Sequence, residues 1–105
     1  MASILLWPEL ALLAQKARRR FRLKAFVLEP IAHPRARVYG DCDIDGTDPA
    51  RVRLRVHKLH GKGPLARSTI FDSLAHELAH LQFPNHGPEW KLLKAEILTY
   101  FKENN

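Results

Sequence analysis

The chain has 105 residues with 46% hydrophobic content, enough for the core of one domain spanning 1–105 and no more. It has no apolar run long enough to span a bilayer. Its single cysteine, Cys42, excludes both an internal disulfide and a cysteine-based zinc ribbon or knuckle. A net charge of +6 favours acidic partners, nucleic acid among them, and serves solubility equally well.

In chain order, the Ile4 to Trp7 patch is short, lacks a preceding basic region and is interrupted by Pro8 and Glu9, so it makes a poor signal peptide. The expectation is a cytoplasmic monomer with no membrane contact. Residues 3 to about 20 read as a helix, capped by Ser3 or begun near Pro8, with Leu10, Leu13, Ala14 and Ala17 at helical spacing. Arg18, Arg19 and Arg20 close it, and Arg22 and Lys24 follow. Cations there suit the negative end of the helix dipole. They also suit phosphate, which makes them a candidate DNA contact. Phe21 is the one aromatic among them, too few for a base-stacking surface.

Leu23 to Ile31 is rich in β-formers and predicts a strand ended by Pro30 and Pro34, and Ala36 to Asp41 predicts a second. Asp43 to Asp48, with Gly46, reads as a turn. Asp41, Asp43, Asp45 and Gly46 imitate the start of a calcium loop, but the glutamate that closes such a loop is missing, so a solvated hairpin turn is the better account. From Arg51 to His57 charged and apolar residues alternate. This predicts a half-buried antiparallel strand at the sheet edge, with Val52, Leu54 and Val56 inward and the arginines outward, where an extended peptide could lie. Gly61 to Pro64 breaks the chain and lacks the frame of a phosphate-binding loop.

A helix is predicted from around Leu65 to Ser68 through Gln82, with Ile70, Phe71, Leu74, Ala75, Leu78 and Leu81 as its apolar stripe. Within it stands His76-Glu77-Leu78-Ala79-His80. Histidines four apart lie one above the other on a helix, so both imidazoles can reach one metal ion, with Glu77 as general base. Pro84 and Asn85 then turn the chain and can swing His86 back as a third ligand, leaving one coordination position open, as in a catalytic zinc site. Gly87-Pro88 opens a last helix whose stripe is Trp90, Leu93, Ile97, Tyr100 and Phe101.

The block from His76 to Leu81, followed by Asn85-His86-Gly87-Pro88-Glu89-Trp90, resembles the active-site region of the YgjP-like and SprT-like zinc metallopeptidases. The five residues between the second and third histidine match the YgjP-like spacing, and Tyr39-Gly40-Asp41-Cys42 resembles that group's aromatic-Gly-x-Cys segment. The good match covers residues 68 to 93; the first 35 residues carry no matching motif, and the zinc-ribbon tail of many SprT-like proteins is absent. The resemblance implies a compact α+β zincin: an N-terminal helix, a small antiparallel three-stranded sheet, the HExxH helix and a C-terminal helix. It implies Zn2+ on His76, His80 and His86, and Glu77 as catalytic base. In the related minigluzincins a glutamate of the last helix is the third ligand, here Glu89 or Glu96; His86 is favoured because the loop delivers it directly.

The expected function is zinc-dependent hydrolysis of peptide bonds in a protein or peptide substrate. The alternatives are a nucleic-acid-associated protein of the SprT-like kind acting on DNA-bound proteins, and a zinc-binding domain without catalysis. His57, His60, Tyr39 and Tyr100 are candidates to stabilise the oxyanion. Asp72 or Asp41 is a candidate to orient a ligand histidine. Cys42 reads as a small buried residue before a fourth ligand, and Trp90 as a core anchor beneath the His86 loop.

Overall fold

A computed structural model of the chain describes residues 7–31, 40–43, 49–55 and 66–104. Helix α1 spans Trp7–Phe21 and strand β1 Phe26–Pro30; strands β2 and β3 span Gly40–Asp43 and Ala50–Leu54; helices α2 and α3 span Arg67–His80 and Pro88–Glu103. Tyr39, Asp45, Gly46, Asp48, Val56, His57, His60 and the Gly61 to Pro64 breaker lie outside the described residues, so three of the four oxyanion candidates and the calcium-like turn beyond Asp43 do too.

The three helices form where period and punctuation agree. In α1 the stripe of Leu10, Leu13, Ala14 and Ala17 is buried, and three arginines occupy the last turn. In α2 Ile70, Phe71, Leu74, Ala75 and Leu78 face the core. Pro88 opens α3, where its missing N–H costs nothing, and Trp90, Ile97 and Phe101 are buried. Phe71 and Phe101 meet at 5.6 Å between ring centroids, joining α2 to α3. None of the described helices is long and apolar enough to cross a membrane.

The α+β layout is as expected, with a three-stranded sheet, but the sheet is mixed rather than wholly antiparallel. Its order is β1-β3-β2: β3 runs antiparallel to β2 and parallel to β1. Alternation reveals that one face of a strand is buried; it is silent on direction and on place in the sheet. The strand predicted for the edge is therefore the central one. Val52 and Leu54 are buried as the alternation predicts, Ala50 before them is buried too, Arg51 is exposed, and Arg53 reaches across to Asp41 of β2 at 3.4 Å. Arg55 departs from the expectation: it is 2% exposed, because the strand ends at Leu54 and the alternation ends with it. β2 is the edge strand that packs against α2.

Candidate metal centre

His76 and His80 stand one above the other on α2, their ring centroids 4.8 Å and their Nε2 atoms 3.2 Å apart. The helix then unwinds in two steps. Leu81 N–H bonds back to the Leu78 carbonyl at 3.1 Å and Phe83 N–H to that of Ala79 at 3.0 Å; Pro84, with no N–H, ends the series. The turn brings His86 Nε2 to 2.9 Å from His80 Nε2. His76, His80 and His86 thus form a group whose ligand atoms all lie within 4.8 Å of one another, close enough to hold a metal ion. Among the described residues no carboxylate or thiol joins that group, so Glu89 and Glu96 are not among its donors and neither is Cys42.

His80 is fixed by a contact that sequence could not show. Its Nδ1 lies 3.1 Å from the Phe83 carbonyl oxygen, which can only accept, so Nδ1 carries the proton and Nε2 presents its lone pair to the group. Trp90 of α3 backs all three imidazoles at centroid distances of 4.7, 5.3 and 4.4 Å, and its Nε1–H donates to the His76 carbonyl at 3.3 Å. It is buried, in keeping with the expected anchor beneath the His86 loop. Asp72 does not take the orienting role. It pairs with Lys94 at 3.2 Å, tying α2 to α3, and Lys94 in turn lies 5.5 Å from the centre of the Trp90 ring. Asp41 meets Arg53 through Oδ2 at 3.4 Å, and its Oδ1 is buried with no hydrogen-bond partner among the described residues.

Glu77 sits on the sheet side of α2 and is 7% exposed. It shares a cleft of about 460 Å³ with the three histidines, Gly40, Asp41 and Cys42. No protein-family model, curated protein or solved structure matches this chain. What the site can do follows from its own residues. Burial, and then the nearby Asp41 carboxylate, push the Glu77 carboxyl up to about 7, against a smaller opposite pull from Lys94. Burial also pushes the His76 imidazole down to about 4, helped by His80, Lys94 and His86, so at neutral pH it is an unprotonated donor. The Cys42 thiol is pushed up to about 11 by burial, then by Glu77, Asp41 and Asp43, and stays neutral and unreactive.

Gly40 belongs to the aromatic-Gly-x-Cys resemblance, but its physical role shows only in the fold, where a glycine in a strand marks a close approach. A Cβ there would stand 3.0 Å from Glu77 Cγ, 3.2 Å from its Oε2 and 3.1 Å from the Arg53 carbonyl oxygen. The helix carboxylate and the sheet backbone meet with no room for a methyl group. Gly40→Ala is expected to destabilise the fold by about 1–3 kcal/mol through overpacking while metal content is retained, because no histidine is touched. Thermal melts alongside metal analysis check this; an unchanged melting temperature would contradict the close approach.

Of the three perturbed groups, Glu77 and His76 contribute to how the metal-free protein responds to acid and neutral pH. Glu77 binds its proton more tightly folded than unfolded, so its contribution to stability declines as pH rises from its ordinary 4.5 to about 7. His76 binds its proton less tightly when folded, so its contribution grows as pH rises from about 4 to its ordinary 6.5. The slopes oppose each other over most of that window. In the metal-free protein Glu77→Gln should therefore unmask the His76 slope, giving a melting temperature that rises more steeply between about pH 4 and 6.5 than in the wild type. Identical pH profiles would contradict the opposed pair.

Proposed function

We propose that the chain is a zinc-dependent peptidase of the YgjP-like or SprT-like kind, with His76, His80 and His86 as ligands and Glu77 as general base. The observation that carries this reading is the shared cleft: three imidazoles and one buried carboxylate, held from α2 and its following turn, open beside an edge strand. Three imidazole nitrogens are a donor set of the kind zinc takes. Nitrogens bonded at 2.0–2.1 Å to a tetrahedral ion lie about 3.3 Å apart; His80 Nε2 lies 3.2 Å from that of His76 and 2.9 Å from that of His86, and all three ligand atoms lie within 4.8 Å of one another. Three protein donors leave the fourth position to water or substrate. When bound, zinc would supply Lewis acidity, acidifying water and polarising a carbonyl.

The chain's own residues supply the proton transfers and the positioning. Glu77 takes a proton from the attacking water and delivers it to the leaving amine nitrogen as the C–N bond breaks. A carboxyl poised at about 7 is suited to both directions of that transfer. The Phe83 carbonyl orients the His80 ring, and the Trp90 ring backs all three imidazoles. β2 offers the backbone of an edge strand along the cleft, where an extended peptide can add as a further strand. That role passes from Arg51–His57, whose β3 residues are central. Tyr100 leaves the oxyanion candidates, since it lines a different cleft at the far end of α3.

Digestion of casein or a peptide library with and without a chelator tests this reading. Cleavage is expected to stop on chelation and return with zinc; cleavage that persists without metal would end it.

A further inference from the structure

We propose that the C-terminal end of α1, with the adjoining cleft against α3, binds single-stranded nucleic acid. Arg and Lys would take the phosphates, and one unstacked base would enter the cleft. The first observation is where the charge lies. Lys16, Arg18, Arg19, Arg20, Arg22 and Lys24 fall within nine residues, and no acid stands between Glu9 and Glu29. These six cations equal the whole net charge of +6, and the other eleven cations are matched by eleven acids. Charge that served solubility would be spread over the surface. Lys16, Arg19, Arg20, Arg22 and Lys24 are exposed, and none of the ion pairs Arg53–Asp41, Arg67–Glu9 and Lys94–Asp72 involves the cluster.

The helix dipole accounts for Arg18, Arg19 and Arg20 in the last turn. It does not account for Arg22. That residue follows the helix with φ 54°, while Leu23 N–H closes back on the Arg18 carbonyl at 3.0 Å. This is the left-handed C-terminal position that glycine fills without steric penalty. A long cation is held there against the backbone's preference, which points to a task for its guanidinium.

The second observation is the neighbouring cleft, about 550 Å³ in volume. Phe21 and Tyr100 meet edge to face in it at 5.8 Å, and the Arg20 guanidinium lies 5.4 Å from the Phe21 ring centre. The fold thus supplies the second aromatic ring that α1 alone lacks. Glu96, Glu103 and Asn104 also line it. Two carboxylates repel phosphate but accept hydrogen bonds from the amino groups of a base edge. The arrangement sorts a nucleotide by its parts: phosphate on the arginines, base in the cleft. A duplex keeps its bases stacked and cannot use the cleft. An anionic membrane would need an apolar face beside the cations, and Leu12 is the one exposed large hydrophobic of α1. Tyr100 lies ten residues beyond Trp90, about 15 Å along the helix, so a bound strand would leave the metal cleft open and the inference stands apart from the peptidase reading.

Fluorescence anisotropy with the full chain tests it, using labelled mixed-sequence DNA and RNA single strands, the matching duplex, and vesicles containing phosphatidylserine. Single strands are expected to bind more tightly than the duplex and the vesicles, with affinity that falls steeply as salt rises. Arg22→Gly should raise the thermal midpoint by relieving the backbone and yet weaken binding, reducing the salt slope by about one unit. Tyr100→Leu should cut the preference for single strand over duplex roughly tenfold. Circular dichroism confirms that both variants fold, and comparable binding of DNA and RNA supports readout that ignores the sugar. Absence of binding at low salt, an unchanged salt slope in the folded Arg22→Gly variant, a duplex bound as tightly as the single strand, or binding confined to vesicles would each overturn the proposal.

Discussion

Glu77→Gln is expected to lower kcat for peptide hydrolysis by about 10²- to 10⁴-fold, the range that a positioned proton-transfer group supplies, while zinc content and fold are retained. The substitution is nearly isosteric, and the cavity between α2 and Gly40 is filled either way. What disappears is the capacity to accept a proton from water and give it to the leaving amine. The Glu77 carboxyl carries a burial penalty when ionised, so the metal-free Gln variant should be at least as stable as the wild type above pH 7. Activity lost together with zinc would mean that the glutamate props up the metal site. Undiminished hydrolysis would remove it from the mechanism. Loss of activity with metal and stability intact is the expected pattern.

His80→Ala should have the largest effect on metal binding. His80 Nε2 lies close to the Nε2 atoms of both His76 and His86, and its Nδ1 is anchored on the Phe83 carbonyl. Removing it takes away the middle donor and the one whose tautomer is fixed by the backbone. The loss in zinc affinity should exceed the roughly 10- to 100-fold that removal of an outer hydrogen-bond partner costs. Competition against a chelator of known affinity measures it. A second readout is thermal: zinc should raise the melting temperature of the wild type, through preferential binding to the folded state, and leave that of the variant nearly unmoved. Glu89→Ala and Glu96→Ala provide the contrast. Neither carboxylate belongs to the ligand group, so both variants should bind zinc as the wild type does. A large loss in either would return the third ligand to α3.

The helices and the histidines were legible in the sequence because each depends on local rules. Histidines four apart must share a helix face whatever surrounds them, and Pro84 and Pro88 fix where one helix stops and the next begins. The sheet was legible as strands but not as an arrangement. Alternation in Arg51 to Leu54 identifies a buried face, whereas central placement depends on β1 and β2 pairing with either side. For the same reason Arg55 could not be recognised as buried. The supports of the site were hidden more deeply. The Phe83 carbonyl is a backbone atom available in any sequence, and the need for glycine at position 40 arises only when β2 is laid against Glu77. Phe21 and Tyr100 stand far apart in the chain and become one aromatic wall only through the packing of α1 on α3.

The count of zinc ions per chain, measured on the 105-residue protein purified without added metal and dialysed exhaustively, tests most directly whether the three imidazoles act as one site. One tightly held zinc per folded chain is the predicted result. A folded chain that retains none, and takes up none when zinc is supplied, would contradict it.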